Sequence, residues 1–313
     1  MKLQKLIEVA KSILQFNLNL KEEEEILIVT DSESGEIADI FYQAGVALGN
    51  ETLIMKMLTR TKSGEEPPRS VAQAMKVAEV VLCITHHSLT HTTARKEASA
   101  NGARVATMPG ITMDMLQEGA ITADYEEVEQ LTEQYCSLLD EGEKVTIEKE
   151  NTKLIFSIKN RKGIRSTGVF REKGESGNLP SGESYIAPLE NSANGTIIVD
   201  GSIAGIGVLS EPVTLTVKDG KLISATGQEG KRLIELLGDG NGRIIAEFGI
   251  GTNSQARLTG NVLEDEKVFG TVHIAFGSNK PFGGMNEAGV HIDCVIKNPL
   301  VHIDGEKLIL HKF

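Results

Sequence analysis

Residues 270–294 read GTVHIAFGSNKPFGGMNEAGVHIDC. Two runs of β-branched and aromatic residues, TVHIAF and VHIDC, flank a glycine-rich connection, which is the pattern of paired strands. His291 and Asp293 are two apart, so on a strand both side chains leave the same face. His273 sits in the first run, which ends in glycine. Neutral imidazole plus carboxylate is ligand chemistry for divalent transition metals. The spacing therefore predicts one face of a metal site built on adjacent strands.

The same β texture extends outward from this stretch. From about Glu143 onward, short β-patterned runs follow one another: VTIEKE, KLIFSIK, GTIIVDG, VTLTVKDGKLISATG and GRIIAEFGIG. Turn dipeptides punctuate them at Asn194-Gly195, Asp219-Gly220, Asn241-Gly242 and Asp304-Gly305. One helix is expected at residues 230–237. This half reads as a mostly antiparallel, β-rich (α+β) domain that carries the metal site.

The first half has a different rhythm. Apolar runs at residues 26–30, 51–57, 80–85 and 103–108 alternate with helical stretches at 35–48, 69–78, 92–100 and 125–139. Alternating βα units imply a parallel sheet flanked by helices, with ligand-facing loops such as TDSESG and THHSLTHT at the strand ends. A length of 313 residues exceeds the usual single core. Two domains are expected: an α/β N-terminal domain at 1–141 and a β-rich metal-binding domain at 142–313. The N-terminal helix, residues 3–20, is apolar enough to serve as core or interface.

Composition bounds the partners. Lys+Arg of 32 against Asp+Glu of 44 gives a net charge of -12, which disfavours nucleic acid and anionic membrane. Cys83, Cys136 and Cys294 are sparse and unpaired in spacing, as in a reduced cytoplasmic protein. The start MKLQKLIEVAKSIL lacks a signal-peptide core, and there is no apolar run long enough to span a bilayer. A small peptide or small-molecule substrate is expected.

Four pieces of the second half carry candidate chemistry. NLPSGESYIAP (178–188) holds Glu183 in a Gly/Pro loop before a β-run, where a solvated glutamate is the usual outcome. IIAEFGIGTN (244–253) places Glu247 inside an apolar strand, where an unpaired carboxylate costs several kcal/mol to bury. LTGNVLEDEKVFGTVHIAFGSN (258–279) carries Asp265, Glu266 and His273, with LEDE read as a surface helix or turn. VHID (290–293) carries His291 and Asp293. A second HID at 302–304 is explained by the hairpin signal Asp304-Gly305 before the strand EKLILHKF. His86, His87 and His91 have no nearby carboxylate or cysteine to complete a metal set, and the Ser/Thr residues there supply a helix N-cap. No nucleotide-binding glycine motif and no nucleophile elbow occur.

Taken together, these four pieces resemble the aminopeptidase T family of metallo-aminopeptidases, from about Asn178 to Asp293 and in the family's order. The resemblance implies a dinuclear divalent site, with zinc, cobalt or manganese held by Glu183, Glu247, His273, His291 and Asp293. It further implies a homodimer and hydrolytic removal of N-terminal residues from peptides, with Glu247 in the water-activating step. The family's oxyanion-stabilising tyrosine falls on Lys280, a flexible point charge of different reach. A second relative on the same scaffold is the 2,5-dihydroxypyridine ring-cleaving dioxygenase. Resemblance to it implies one Fe(II) on His273, His291 and Asp293. The third alternative is a metal-binding protein that has lost turnover. Retention of Glu183 and Glu247 favours the hydrolase, and the missing tyrosine favours the oxygenase.

Overall fold

A computed structural model describes residues 2–310. The chain divides into two compact units: Met1–Glu126 with Gly168–Ser181, and Glu127–Thr167 with Gly182–Phe313. The sequence expectation was a single boundary at 141/142. The structure instead groups the helix Tyr125–Glu141 largely with the second unit and returns residues 168–181 to the first.

The first unit is built on a five-stranded parallel sheet in the order Thr52–Lys56, Ile26–Thr30, Val80–Ile84, Arg104–Thr107, Ser176–Asn178. Ile26–Thr30 and Val80–Ile84 are buried along their whole length, as expected of central parallel strands covered on both faces. Helix Gly35–Leu48 ends at left-handed Gly49, with φ of 91°. Helix Thr93–Ala100 begins at Thr92, whose hydroxyl accepts the Arg95 N–H at 3.2 Å. That is the cap expected from the Ser/Thr run. The N-terminal segment is an α-helix over Lys2–Ser12 continued by a π-helical turn over Ile13–Asn17. Leu6, Ala10, Ile13, Leu14 and Leu18 are buried, so this segment serves as core.

The second unit holds two seven-stranded sheets whose paired strands run antiparallel. The first has the order Lys221–Ala225, Val213–Lys218, Asn194–Val199, Thr152–Ser157, Lys144–Lys149, Leu300–Ile303, Glu306–Leu308. The second runs Gly207–Val208, Ser202–Ile203, His291–Lys297, Thr271–Gly277, Ile245–Gly251, Glu183–Ile186, Ile164–Ser166. They share one apolar core. Phe156, Ile197 and Leu215 come from one sheet, and Phe248, Ile274, Phe276, Cys294 and Ile296 from the other. The Phe156 and Phe248 rings meet with centroids 5.5 Å apart. Helix Gly227–Leu237 begins three positions before the expected start and drops Leu233 and Leu237 into this core.

Two of the four expected turn dipeptides close hairpins. Asp219-Gly220 and Asp304-Gly305 both have positive φ at each residue, as a type I′ turn requires. Asn194-Gly195 instead opens a strand, with Gly195 registered against Val217 on one side and Leu154 on the other. Asn241-Gly242 lies in a 3-10 turn over Gly240–Arg243. The expected terminal strand EKLILHKF is realised over Glu306–Leu308, and its residues 311–313 lie outside the described residues. Among the described residues no helix is long and apolar enough to cross a membrane.

Candidate metal centre

The outer face of the second sheet in this unit is where the chemistry gathers. Phe248 and Ile250 point into the core from Ile245–Gly251, as do Val272, Ile274 and Phe276 from Thr271–Gly277, and Ile292, Cys294 and Ile296 from His291–Lys297. Strand alternation then sends Glu247, His273, His291 and Asp293 to the opposite face. Glu183 and Tyr185 join them from the neighbouring strand, where they register against Gly251 and Gly249.

One irregularity is essential to this arrangement. Ile245 pairs with Phe276, yet Glu247 pairs with Ala275, so the strand carries a bulge between them. Residues two apart ordinarily share a face. The extra residue sends Ile245 into the core and Glu247 to the site.

The five expected ligands meet at short range. Nε2 of His273 lies 3.2 Å from Glu247 Oε1 and 3.5 Å from Glu183 Oε2. Nε2 of His291 lies 3.4 Å from both Glu247 Oε2 and Asp293 Oδ1. Glu247 therefore faces the two imidazoles through separate oxygens. His291 is aimed by its other nitrogen, since Nδ1 donates to the Ser278 carbonyl at 2.8 Å. Glu183, Glu247, His273 and Asp293 are buried, whereas the His291 side chain keeps 30% exposure and forms the open edge.

The carboxylates and imidazoles polarise one another. Burial works to raise the Asp293 carboxyl, but His291, with His273 and Lys267 behind it, overrides this and holds it at about 2. Glu247 is likewise pushed up by burial and pulled below its ordinary range by His273 and His291. Burial opposes a charge on His273, yet Glu247 and Glu183 raise it. His291 is raised well above the usual histidine value, chiefly by Asp293 once burial is overcome. Burial, then the charges of Glu247, Glu183 and Asp293, push the Tyr185 phenol well up.

This donor set fits a divalent cation. Glu183 Oε2, His273 Nδ1 and Asp293 Oδ1 are buried and make no hydrogen bond. Polar atoms in such surroundings normally find a partner. Among the described residues, three groups of side chains bring ligand atoms within 4.8 Å of one another: Glu183–Glu247–His273, Glu247–His291–Asp293 and Glu266–His273–Asp293.

Glu266 and Lys267 are the site members that sequence reasoning missed. The LEDE segment, expected at the surface, is inside: Glu264 and Asp265 are buried. Asp265 accepts the backbone N–H groups of Thr259 and Gly260, and Glu264 accepts that of Arg257 through Oε1, so the loop's own amides bond both acids. Lys267 is fully buried, with Nζ 3.0 Å from Glu183 Oε1 and paired to Glu266 Oε1. Its only sequence signal is a lysine three residues before the glycine that opens a wholly buried strand.

Lys280, expected in the oxyanion role, is not brought to the ligands. Its Nζ pairs with Glu287 at 2.9 Å with the side chain 64% exposed. The reason is local: Lys280–Phe282 forms a 3-10 turn, and the residue that turns toward the site is Phe282. The Phe282 ring stands edge-on to Tyr185 at 5.4 Å and to His291 at 5.8 Å. His302 and Asp304 join none of the three groups, and Asp304 accepts the N–H groups of Glu143 and Lys144. In the first unit, His86 pairs with Glu33 and packs on His87, while Asp31 accepts the His86 N–H.

Residues 5–311 match the NicX family, described as 2,5-dihydroxypyridine 5,6-dioxygenase. Over 164 residues the chain is 27% identical to aminopeptidase PepS of Streptococcus thermophilus, covering 45% of this chain and 39% of that protein. That match thus spans about two fifths of the relative's length. Among solved structures, the 2,5-dihydroxypyridine dioxygenase from Pseudomonas putida KT2440 superposes with a TM-score of 0.83 at 16% identity, over 99% of this chain and 96% of that one. Wild-type AmpT from Thermus thermophilus superposes at 0.68, also at 16% identity, over 98% and 99%. At these identities the two superpositions establish the fold.

Proposed function

The chain belongs to the NicX family, and on that premise we propose that it is a mononuclear metal-dependent dioxygenase that opens a hydroxylated aromatic ring. The observation that carries this reading is the convergence of two histidines and one aspartate, His273, His291 and Asp293, on one face of two adjacent strands. Two imidazoles and a carboxylate are the donor set of non-haem Fe(II) oxygenases. When bound, Fe(II) supplies the redox chemistry by which both atoms of dioxygen enter the ring-opened product. The protein supplies the rest. Ser278 orients His291 through its carbonyl. Phe282 and Tyr185 present aromatic edges beside His291, an apolar wall suited to a planar ring. Glu247, held ionised, is an acceptor for a substrate hydroxyl.

A second reading is an aminopeptidase-like hydrolase with two divalent ions. It is favoured by Glu247, whose separate oxygens face the two histidines, and by Glu183 beside it. Two ions about 3.5–4 Å apart can activate water and polarise a scissile carbonyl. Against it, Lys280 is turned away to Glu287.

Parallel assays with and without dioxygen separate the two. The Fe(II)-loaded protein is expected to consume dioxygen with a dihydroxypyridine and to leave unblocked peptides intact. His273→Ala should abolish ring opening, while Glu247→Gln should slow it far less. Anaerobic, chelator-sensitive cleavage of unblocked peptides would overturn the proposal and install the hydrolase.

A further inference from the structure

The dioxygenase reading uses the ring of Tyr185 and leaves its hydroxyl without a task. Tyr185 leaves the ligand face two positions after Glu183 and registers against Gly249 on the next strand. Gly249 in turn registers against His273. The glycine contributes no side chain, so Tyr185 and His273 follow one another across this face with nothing between them. Glu247 stands two residues along from Gly249 and is the diagonal neighbour of Tyr185. Phe282 braces the phenol from the side, edge-on at 5.4 Å.

The Tyr185 side chain is half-buried, and its hydroxyl makes no hydrogen bond to any described residue. A tyrosine hydroxyl drawn out of water ordinarily finds a partner. Other donors beside the centre are engaged: Lys267 Nζ with Glu183 and Glu266, and Ser278 Oγ with the Ala288 carbonyl. The face therefore offers one open donor, Tyr185, diagonal to one acceptor, Glu247. A ring hydroxyl next to a ring nitrogen matches such a pair. It presents a donor and an acceptor side by side, as O–H and N in the hydroxy form or as C=O and N–H in the lactam form. A ring without nitrogen has only C–H beside its hydroxyl.

We propose that Tyr185 is a specificity-determining residue of this site, donating its hydroxyl hydrogen bond to the acceptor of a 2-hydroxypyridine-type edge while Glu247 takes the adjoining donor. The inference rests on the dioxygenase reading and narrows its substrate to rings that carry this edge. A site built around such a pair rejects a ring that lacks it, because the donor and acceptor are then left unpaired.

The test is binding to the Fe(II)-loaded, full-length protein without dioxygen. Two rings are compared by calorimetry: 2,5-dihydroxypyridine, and phenol as a competitor that keeps one hydroxyl and lacks the nitrogen and the oxygen beside it. Tyr185→Phe should weaken dihydroxypyridine binding by about tenfold or more, and leave phenol binding, bound iron and melting temperature unchanged. In turnover the same variant should raise KM more than it lowers kcat. Wild-type affinity for dihydroxypyridine in Tyr185→Phe overturns the proposal. Equal weakening of both rings also overturns it, since that is the signature of lost packing. A wild type that binds dihydroxypyridine and opens it, with Tyr185→Phe its equal, sinks this inference alone. A wild type that neither binds nor opens that ring sinks the dioxygenase reading and this inference with it.

Discussion

His273 lies directly across the antiparallel ladder from Gly249, and a Cβ built on that glycine would stand 2.1 Å from the imidazole Nε2. The imidazole occupies the space a side chain would fill. Gly249→Ala must displace the ring or the strand, at a cost of about 1–3 kcal/mol for an overpacked site. Urea unfolding should show that loss, and metal affinity should fall by about tenfold or more, the equivalent of 1.4 kcal/mol. Unchanged metal affinity in a folded Gly249→Ala protein would remove His273 from the ligand set.

Metal and proton compete for the same imidazoles. His273 and His291 are raised above the ordinary value of about 6.5, His291 the more strongly. In the metal-free protein, raised values mean stabilisation fully present below the ordinary pKa and lost as pH rises through the raised ones. Metal binding has the opposite sense, strengthening as pH rises through that window because the displaced protons bind less well. Calorimetric titrations in buffers of different ionisation enthalpy should report proton release on binding. Affinity independent of pH across the window would show that neither histidine binds the ion.

Two residues serve as controls. Lys280 pairs with Glu287 in solvent, so Lys280→Ala should leave both melting temperature and metal content unchanged. His302→Ala should also keep the full metal content, since His302 belongs to none of the ligand groups. A drop in bound metal in either variant, measured by mass spectrometry of the digested protein, contradicts this geometry.

Glu190 holds the loop that carries Phe282. Its carboxylate accepts the Met285 N–H at 2.6 Å and the Asn279 amide at 3.0 Å, and pairs with Arg161 at 2.6 Å. Burial raises its pKa, but these bonds override it and hold it low. Its contribution is therefore present above the unfolded value of about 4.3 and is lost as pH falls through the depressed one. Glu190→Ala should cost about 1–3 kcal/mol, since charge-assisted bonds to a mostly buried carboxylate are lost. Amide exchange over residues 278–290 should speed up in the variant. Protection as in the wild type would mean that the loop is held by Asn279 and Asn286 alone.

Much of the site was legible because strand alternation is a local rule. The pair His291/Asp293 needed only a period of two, and His273 only its place in TVHIAF. The Asp304-Gly305 hairpin and the Thr92 cap were legible for the same reason, as backbone chemistry within a few residues. Less of the parallel sheet was visible. Its fifth strand, Ser176–Asn178, is three residues long and comes from beyond three strands of the other unit, so no periodicity announces it.

By itself, the sequence determined the alternating βα rhythm, the β-rich second half and the facing pairs of ligand residues, because each rests on neighbours a few positions apart. Tertiary structure decided what depends on register and enclosure. The bulge between Ile245 and Glu247 exists only because Phe276 and Ala275 lie opposite, and without it Glu247 and Ile245 would share a face. The LEDE acids turn inward because the loop's amides are there to bond them. Lys267 is drawn in by carboxylates 84 residues away and next door in the chain, an attraction that forms only once the strands holding Glu183 and His273 have paired through Ile245–Gly251.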